Sequence, residues 1–414
     1  MIELERLVAV LGAAEVVGGA PVEVLDLVYD ARHATPGSLF FCVRGRKADG
    51  HDFAPQAVAA GAVALVVERP LAVDVPQVIV PDSRAAMAPA ADAFFGRPTE
   101  ELQVAGVTGT SGKTTTSFLL YAILAAAGRR PGLLGTVEAR VGGERRGVER
   151  TTPEAIDLQR TFREMLDAGD RSCAMEASSH ASELHRLDCV RFAVLVFTNL
   201  SQDHLDFHGD MESYFEAKRR LFTGQPAVVN VGNEWGRRLA SELPDAIAFS
   251  ADDASELAGI DLKLRGRFNV ENALGALFAA RALGVDDAAI KQGIESVRGV
   301  PGRFESVDEG QPFDVIVDYA HKPDALENVP RSPRAGPRPR PRRPRRRRRP
   351  RPRQASADGP HRVRAGRRCD RHLGQSAQRE PTGDHRRDPG RRLRGRGRGA
   401  GPRRRDRARD RART

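Results

Sequence analysis

The stretch Val104-Ala105-Gly106-Val107-Thr108-Gly109-Thr110-Ser111-Gly112-Lys113-Thr114-Thr115 joins an apolar run to a Leu- and Ala-rich segment that ends at Gly128. Residues 104–107 read as a strand and 114–127 as a helix. Glycines between them let successive backbone N–H groups converge on an anion, and the helix N-terminus adds a favourable dipole. Lys113 supplies a point charge suited to β- and γ-phosphates, and the Thr114 hydroxyl is a ligand type for Mg²⁺. The spacing departs from GxxxxGK[ST], because Val107 stands where the first glycine belongs; the loop is a compact G-T-S-G-K-T. A glycine-rich turn without phosphate is the bland reading, and the flanking strand and helix tell against it. ATP or GTP binding is the expectation.

Strand–loop–helix alternation continues downstream. Residues 174–176, 193–197 and 227–230 are strand candidates, and 158–168 and 272–283 carry helical patterns. This predicts a mostly parallel sheet flanked by helices. Upstream, residues 22–28 read as a strand, Pro36-Gly37 as a turn and 39–43 as a second strand. A helix over 57–64 and a strand over 65–67 complete a small α/β domain. A last strand, 313–317, opens what should be another α/β unit, and no internal repeat is visible.

Three clusters follow the loop. Met175-Glu176-Ala177-Ser178-Ser179-His180 ends one predicted strand, and Thr198-Asn199-Leu200-Ser201-Gln202-Asp203-His204-Leu205-Asp206-Phe207-His208-Gly209 ends the next. Tyr214–Phe222, with Lys218 among them, sits on the helix after it. Ligands gather at the carboxyl ends of parallel strands, so both strand-end clusters should converge on the phosphate loop. A carboxylate and an imidazole there could hold Mg²⁺, with His204 acting through the outer shell. Zinc held by Asp203, His204, Asp206 and His208 ranks second. A hydrolase built on Ser178-Ser179-His180 lacks a G-x-S-x-G elbow. Lys218, by its type and place alone, is a solvated lysine.

Charge divides the 414 residues sharply. Residues 1–329 hold 33 Lys and Arg against 48 Asp and Glu, whereas 330–414 hold 33 Arg against 7 acidic residues. The front portion is thus net negative and the excess of positive charge comes from the tail alone, so a basic, nucleic-acid-seeking protein is excluded for the front portion. Four scattered cysteines (Cys42, Cys173, Cys189, Cys369) form no CxxC pair and suit a reducing cytosol. No apolar run reaches the ~18 residues of a membrane span. The acidic start, Met1-Ile2-Glu3-Leu4-Glu5, is unlike a signal peptide. A soluble, cytoplasmic protein is expected.

The tail contains no Lys, Ile, Met, Phe, Tyr or Trp. Such a segment cannot bury enough apolar surface to fold, so it reads as disordered. As a phosphate-binding arm it has no reason to exclude lysine, and it offers no aromatic residues for base stacking. A frameshift in GC-rich DNA explains the composition better. Read one base later, residues 348–358 permit G-D-R-D-R-G-K-R-P-L-M, and residues 372–381 permit T-S-D-N-P-R-S-E-N-P, in the same shifted frame.

Together the motifs resemble the Mur ligases of peptidoglycan assembly, on the branch that adds the third peptide residue, over residues 20–329. Asp30-Ala31-Arg32, Pro36–Phe40 and Asp49–Phe53 resemble the family's UDP-binding segment. Gly109–Thr115, Thr151-Thr152-Pro153, Glu176–His180, Thr198–Gly209, Phe268–Ala273, Gly302–Glu305 and Val317–Asn328 resemble its other motifs. The resemblance implies a three-domain α/β architecture with a P-loop central sheet. It would comprise a UDP-binding domain over 1–97, an ATP-binding domain over 98–300 and the start of an amino-acid-binding domain over 301–329. That third domain would be truncated, and replaced over 330–414 by the Arg/Pro-rich tail.

The same resemblance implies site roles. Lys113, Lys218 and His204 would be catalytic. Gly109, Thr110, Ser111, Gly112, Lys113, Thr114, Thr115, Asn269, Asn272, Arg303 and Asp318 would bind ATP. Asp30, Arg32, Thr151, Thr152, Ser178 and Arg186 would bind the UDP-muramoyl-dipeptide. Mg²⁺ would be held by Thr114, Glu176, His204 and a carbamoylated Lys218. Ser111, Ala31 and Lys322 replace the family's usual Asn, Ser and Thr; Ala31 forgoes a hydrogen bond to uracil. The shifted-frame D-N-P-R resembles the element that selects meso-diaminopimelate over lysine. The implied reaction joins that diamino acid to UDP-MurNAc-L-Ala-D-Glu through an acyl phosphate, in a monomer. The chain as written would be impaired in amide formation. Open alternatives are a lysine-adding ligase, a remnant that only binds the UDP-substrate, and a nucleotide-binding protein whose tail binds nucleic acid.

Overall fold

The fold is taken from a computed structural model, which describes residues 1–319 except 12–14, 19–20, 46, 308, 312 and 314. The predicted tail and the 320–328 motif lie outside the described residues.

In the N-terminal lobe, Asp26–Val28, Ser38–Phe41, Ala64–Val67 and Gln77–Ile79 run parallel in that spatial order, and Glu15–Val17 pairs antiparallel with the last. Ser38–Phe41 and Ala64–Val67 are buried at every residue. Apart from Ser38 they are wholly apolar, because helices and loops cover both faces. The strand expected over 22–28 is broken at Leu25. Glu23–Val24 pairs with Ile2–Glu3, Leu25 is exposed, and Asp26–Val28 joins the main sheet. A single apolar run thus serves two sheets. The helix expected over 57–64 lies at Ala54–Ala59, and the strand after it starts at Ala64.

The central lobe is built on an eight-stranded sheet around Gln103–Thr108. Ser172–Glu176 and Pro131–Leu134 lie to one side; Phe192–Phe197, Ala227–Asn230 and Ile247–Phe249 lie to the other, all parallel. An antiparallel hairpin, Ala139–Val141 with Glu144–Arg146, extends the Pro131–Leu134 side. Side chains alternate with period two. Ala105, Val107, Ala174, Val194 and Val196 join the core under the helices Lys113–Ala126, Arg267–Ala282 and Asp287–Ser296. Val104, Cys173, Met175 and Leu195 face the other core, under Ala155–Asp167. A Cβ on Gly293 would stand 2.4 Å from the Ile123 Cα, so two of the helices touch backbone to backbone there.

The helix Ala155–Asp167 also ties the lobes together. Its Ala155 and Ile156 enter the N-terminal core beside Met87, Ala90 and Ala91. Arg160 Nη2 reaches Asp26 Oδ1 and the Leu27 carbonyl, each at 2.9 Å. Arg191 forks onto Asp92 at 2.9 and 3.1 Å. The strand expected over 313–317 runs from Val315 to Val317 and pairs antiparallel with Glu305–Val307. Among the described residues no helix is long and apolar enough to cross a membrane.

Candidate active site

Strand register assembles the site. Glu176 pairs with Val107 and Phe197 with Thr108, so three adjacent strands end side by side. The neighbouring strand end then holds the phosphate loop. The Thr110 N–H donates to the Asn199 carbonyl at 2.8 Å, and the Ser111 N–H to Asn199 Oδ1 at 2.9 Å. The Ser111 carbonyl accepts from Thr198 Oγ1 at 2.7 Å and Asn199 Nδ2 at 3.1 Å. Gly112 has φ +89°, and a Cβ there would stand 2.3 Å from Asn272 Oδ1. Only glycine suits that conformation and that clearance.

Lys113 Nζ folds back on the carbonyls of Gly109 and Thr110, at 2.9 and 3.0 Å. Lys218 is not the solvated lysine its type suggests: it is 1% exposed, and its Nζ donates to the same Gly109 carbonyl at 3.0 Å. The ammonium also lies 4.6 Å from the Tyr214 ring centroid, a cation–π contact. The Tyr214 hydroxyl meets Thr110 Oγ1 at 3.0 Å. Burial raises the Tyr214 phenol far above its ordinary range.

Around the first turn of Lys113–Ala126, Thr114 and Thr115 are buried, and Thr114 Oγ1 accepts from Arg303 Nη2 at 2.9 Å. Asn272 Oδ1 accepts from Thr116 Oγ1 at 3.4 Å, while Asn272 Nδ2 donates to Asn269 Oδ1 at 3.0 Å. Asp318 Oδ2 accepts from the Phe304 N–H at 2.6 Å, and Arg303 stacks over Tyr319 at 4.5 Å. These predicted nucleotide-side residues therefore cluster around one helix start and the turn at 302–304.

The predicted substrate residues also meet. Thr152 Oγ1 donates to the Glu176 carbonyl at 2.9 Å and lies 3.2 Å from Ser178 Oγ. Arg186 Nη1 donates to the Thr152 carbonyl at 3.1 Å. Burial, ahead of the neighbouring guanidinium groups Arg150 and Arg84, lowers the Arg186 pKa. Thr136 links the two halves: its N–H and hydroxyl donate to the two Glu176 oxygens at 2.7 and 3.1 Å, and its Oγ1 meets Thr151 Oγ1 at 3.0 Å. Asp30 and Arg32 instead pair with each other, Nε to Oδ1 at 3.0 Å. The Arg32 hydrogen bonds hold the Asp30 carboxyl at about 2. A cleft of about 230 Å³ opens between Tyr29 of the N-terminal lobe and Gly135, Arg146, Arg150, Thr151 and Asp157.

Beside the loop, His180 stacks on Phe207 (4.1 Å) and meets His204 edge-on (4.6 Å), and His208 stacks on Tyr214 (4.9 Å). His204 Nε2 pairs with Asp203 Oδ2 at 3.0 Å, and His208 Nε2 meets Ser179 Oγ at 3.0 Å. Burial first, then the charges of His180 and Lys218, lowers His208 to about 4. Among the described residues no group of three or more His, Cys, Asp or Glu is placed to hold a metal ion. Oxygen donors suited to a hard cation are present in Glu176 and Thr114. Lys218 as an ammonium donates hydrogen bonds and has no lone pair to offer a metal. Thr136 had no recognisable signal in the sequence; Tyr214 did, standing one helical turn before Lys218.

Comparison with known proteins gives the same picture. A family model for the Mur ligase middle domain matches residues 107–258, and one for the Mur ligase family catalytic domain matches residues 26–95. The UDP-N-acetylmuramoyl-L-alanyl-D-glutamate--2,6-diaminopimelate ligase of Geobacillus thermodenitrificans (strain NG80-2) is 45% identical over 350 residues, covering 77% of this chain and 71% of that protein. The ligase of the same name from Streptomyces coelicolor is 42% identical over 365 residues, covering 80% and 72%. A solved structure of a ligase of that name superposes with a TM-score of 0.62 at 27% identity, covering 74% of this chain and 70% of the other. The Acinetobacter baumannii D-alanyl-D-alanyl ligase shares the fold, at TM-score 0.56 and 22% identity over 79% and 75% of the two chains. By these matches the chain belongs to the Mur ligase family.

Proposed function

We propose that the chain is an ATP-dependent amide ligase of the kind that adds a diamino acid, meso-diaminopimelate, to UDP-MurNAc-L-Ala-D-Glu in the cytoplasm, with the amide-forming step impaired in the chain as written. One observation carries the reading. The phosphate loop and the Thr151–Thr152, Ser178 and Arg186 group meet at one end of one parallel sheet, with Glu176 at their junction. That is the arrangement needed to bring a carboxylate, the phosphoryl acceptor, to a terminal phosphate. On this reading residues 1–97 are the UDP-binding domain, residues 98–300 the ATP-binding domain, and 301–329 the start of an amino-acid-binding domain. The cleft beside Tyr29 suits an extended ligand that spans both lobes.

In the first step the γ-carboxylate oxygen of D-Glu attacks the γ-phosphorus of ATP, and the bond to ADP breaks. The amine then attacks the acyl carbon, a proton leaves the nitrogen, and inorganic phosphate departs. Positioning and charge neutralisation do most of this work. Lys113 leaves the loop carbonyls to meet the phosphates, while Arg186 and Thr152 orient the dipeptide. Magnesium, when bound, neutralises phosphate charge, and the Thr114 hydroxyl and the Glu176 carboxylate are suited to hold it, with His204 in the outer shell. A carbamate on Lys218 would convert a donor into a carboxylate-like acceptor at the same place.

The test supplies the full chain with ATP, Mg²⁺, UDP-MurNAc-L-Ala-D-Glu and either meso-diaminopimelate or lysine, and follows phosphate release and amide product. Hydroxylamine trapping reports the acyl phosphate separately. Absence of both phosphate release and a trapped acyl group with this substrate would sink the proposal. Resequencing the coding DNA over codons 320–414 decides whether the tail or a third domain follows Val329.

A further inference from the structure

Glu154 occupies the seam between the lobes. It is the residue that precedes Ala155–Asp167, a common place for a cap, yet its side chain makes no capping hydrogen bond. Its carboxylate is 6% exposed and is spent on two arginines from different lobes. Oε2 meets Arg84 Nη1 at 2.9 Å, and Oε1 meets Arg186 Nη2 at 2.9 Å. Arg84 lies in the first turn of Ser83–Phe94, where Asp82 Oδ1 accepts from its N–H at 2.8 Å and fixes its backbone. Arg186 then uses its other terminal nitrogen on the Thr152 carbonyl at 3.1 Å. The Arg186 Nε has no hydrogen-bond partner, so this guanidinium is held mainly by Glu154 and Thr152.

A buried carboxylate with two guanidinium partners is a rigid joint, because each oxygen is already committed and loss of either partner leaves charge poorly compensated. Arg84 touches neither Thr152 nor Ser178 directly in the hydrogen bonds described. Its influence on them passes through Glu154 and Arg186. We propose that Arg84 is a positioning residue: through Glu154 it sets the Arg186 guanidinium for the acidic peptide end of the ligand, and so couples the N-terminal lobe to that end. This rests on the proposed binding of UDP-MurNAc-L-Ala-D-Glu.

The experiment measures binding of UDP-MurNAc-L-Ala-D-Glu, of UDP-MurNAc-L-Ala, which lacks the acidic residue, and of ATP to the full chain by calorimetry. The variants are Arg84→Met, Arg84→Lys, Glu154→Gln and the Arg84→Met/Glu154→Gln double. The expected result for Arg84→Met is about a tenfold weaker Kd for the D-Glu ligand, with less than about a twofold change for the shorter ligand and for ATP. Arg84→Lys keeps the charge but not the planar guanidinium or its reach, and falls between. The double variant loses no more than Glu154→Gln alone, since both act on one joint. Arg84→Met binding the D-Glu ligand as tightly as wild type overturns the inference. So does an equal loss of all three ligands, the mark of a merely structural role. If Arg84→Met does not fold, Arg84→Lys and Glu154→Gln decide, and unchanged binding in both overturns it. No binding of either UDP-ligand by the wild-type chain overturns the functional reading, and the inference with it.

Discussion

Lys113 and Lys218 donate to one acceptor, the carbonyl oxygen of Gly109, at 2.9 and 3.0 Å. Two ammonium groups on one oxygen repel each other and favour the arrival of negative charge. The arrangement describes a loop poised for an anion. Lys113→Met should therefore weaken ATP binding at least ~100-fold, by removing a charge-assisted contact to the phosphates, while UDP-substrate binding holds. Calorimetry with each ligand checks this; near-normal ATP affinity would count against the loop.

Gly112 tests the loop from its backbone. Gly112→Ala must place a Cβ 2.3 Å from Asn272 Oδ1 at φ +89°. The loop and Asn272 should separate, with a stability loss of roughly 1–3 kcal/mol and ATP turnover close to background. Urea unfolding and phosphate release read the two effects separately.

Gly293 tests packing away from the site. An added methyl would press on the Ile123 backbone at 2.4 Å, where neither helix can yield by a side-chain rotation. Gly293→Ala should cost about 1–3 kcal/mol despite alanine's better helix propensity. An unchanged denaturation midpoint would mean that the two helices do not pack this closely.

Thr152 carries the substrate-side network. Thr152→Val keeps the shape but removes the hydroxyl bonds to the Glu176 carbonyl and Ser178. UDP-substrate affinity should fall about tenfold, one lost hydrogen bond's worth with its buried partner left unmet, and ATP affinity should not change. Equal loss of both ligands would refute that division of labour.

The His208 ring, lowered to about 4 chiefly by burial, binds fewer protons when folded than when unfolded at the ordinary 6.5. The unfolded chain therefore gains protons first as pH falls. The stability contribution of His208 is complete above about 6.5 and is lost on the way down to about 4. With the ring only partly buried, the loss is on the order of 1–2 kcal/mol. His208→Asn should flatten this part of the pH dependence in chemical denaturation; an identical slope would argue against a buried neutral imidazole.

Much of the central lobe was legible because its determinants are local. The strand over 103–108 and the helix over 113–126 needed only a run of apolar residues, contiguous loop glycines and a lysine at the right step. The strand over 22–28 was misread because its break at Leu25 follows from which of two sheets each half joins, a fact of pairing and not of propensity. Lys218 shows the same limit: its type says solvent, and only the packing of its helix against the loop buries it.

By itself the sequence determined the phosphate loop, the alternation that makes a parallel sheet, and the kinship with the Mur ligases. Each of these is written in neighbouring residues. Tertiary structure alone decided that Arg84, Glu154 and Arg186 form one joint, and that Thr136 holds both oxygens of Glu176. These groups come from segments tens of residues apart. Strand order and the packing of Ser83–Phe94 on Ala155–Asp167 bring them together, because burying apolar faces fixes the backbone first and polar partners must then be found wherever it places them.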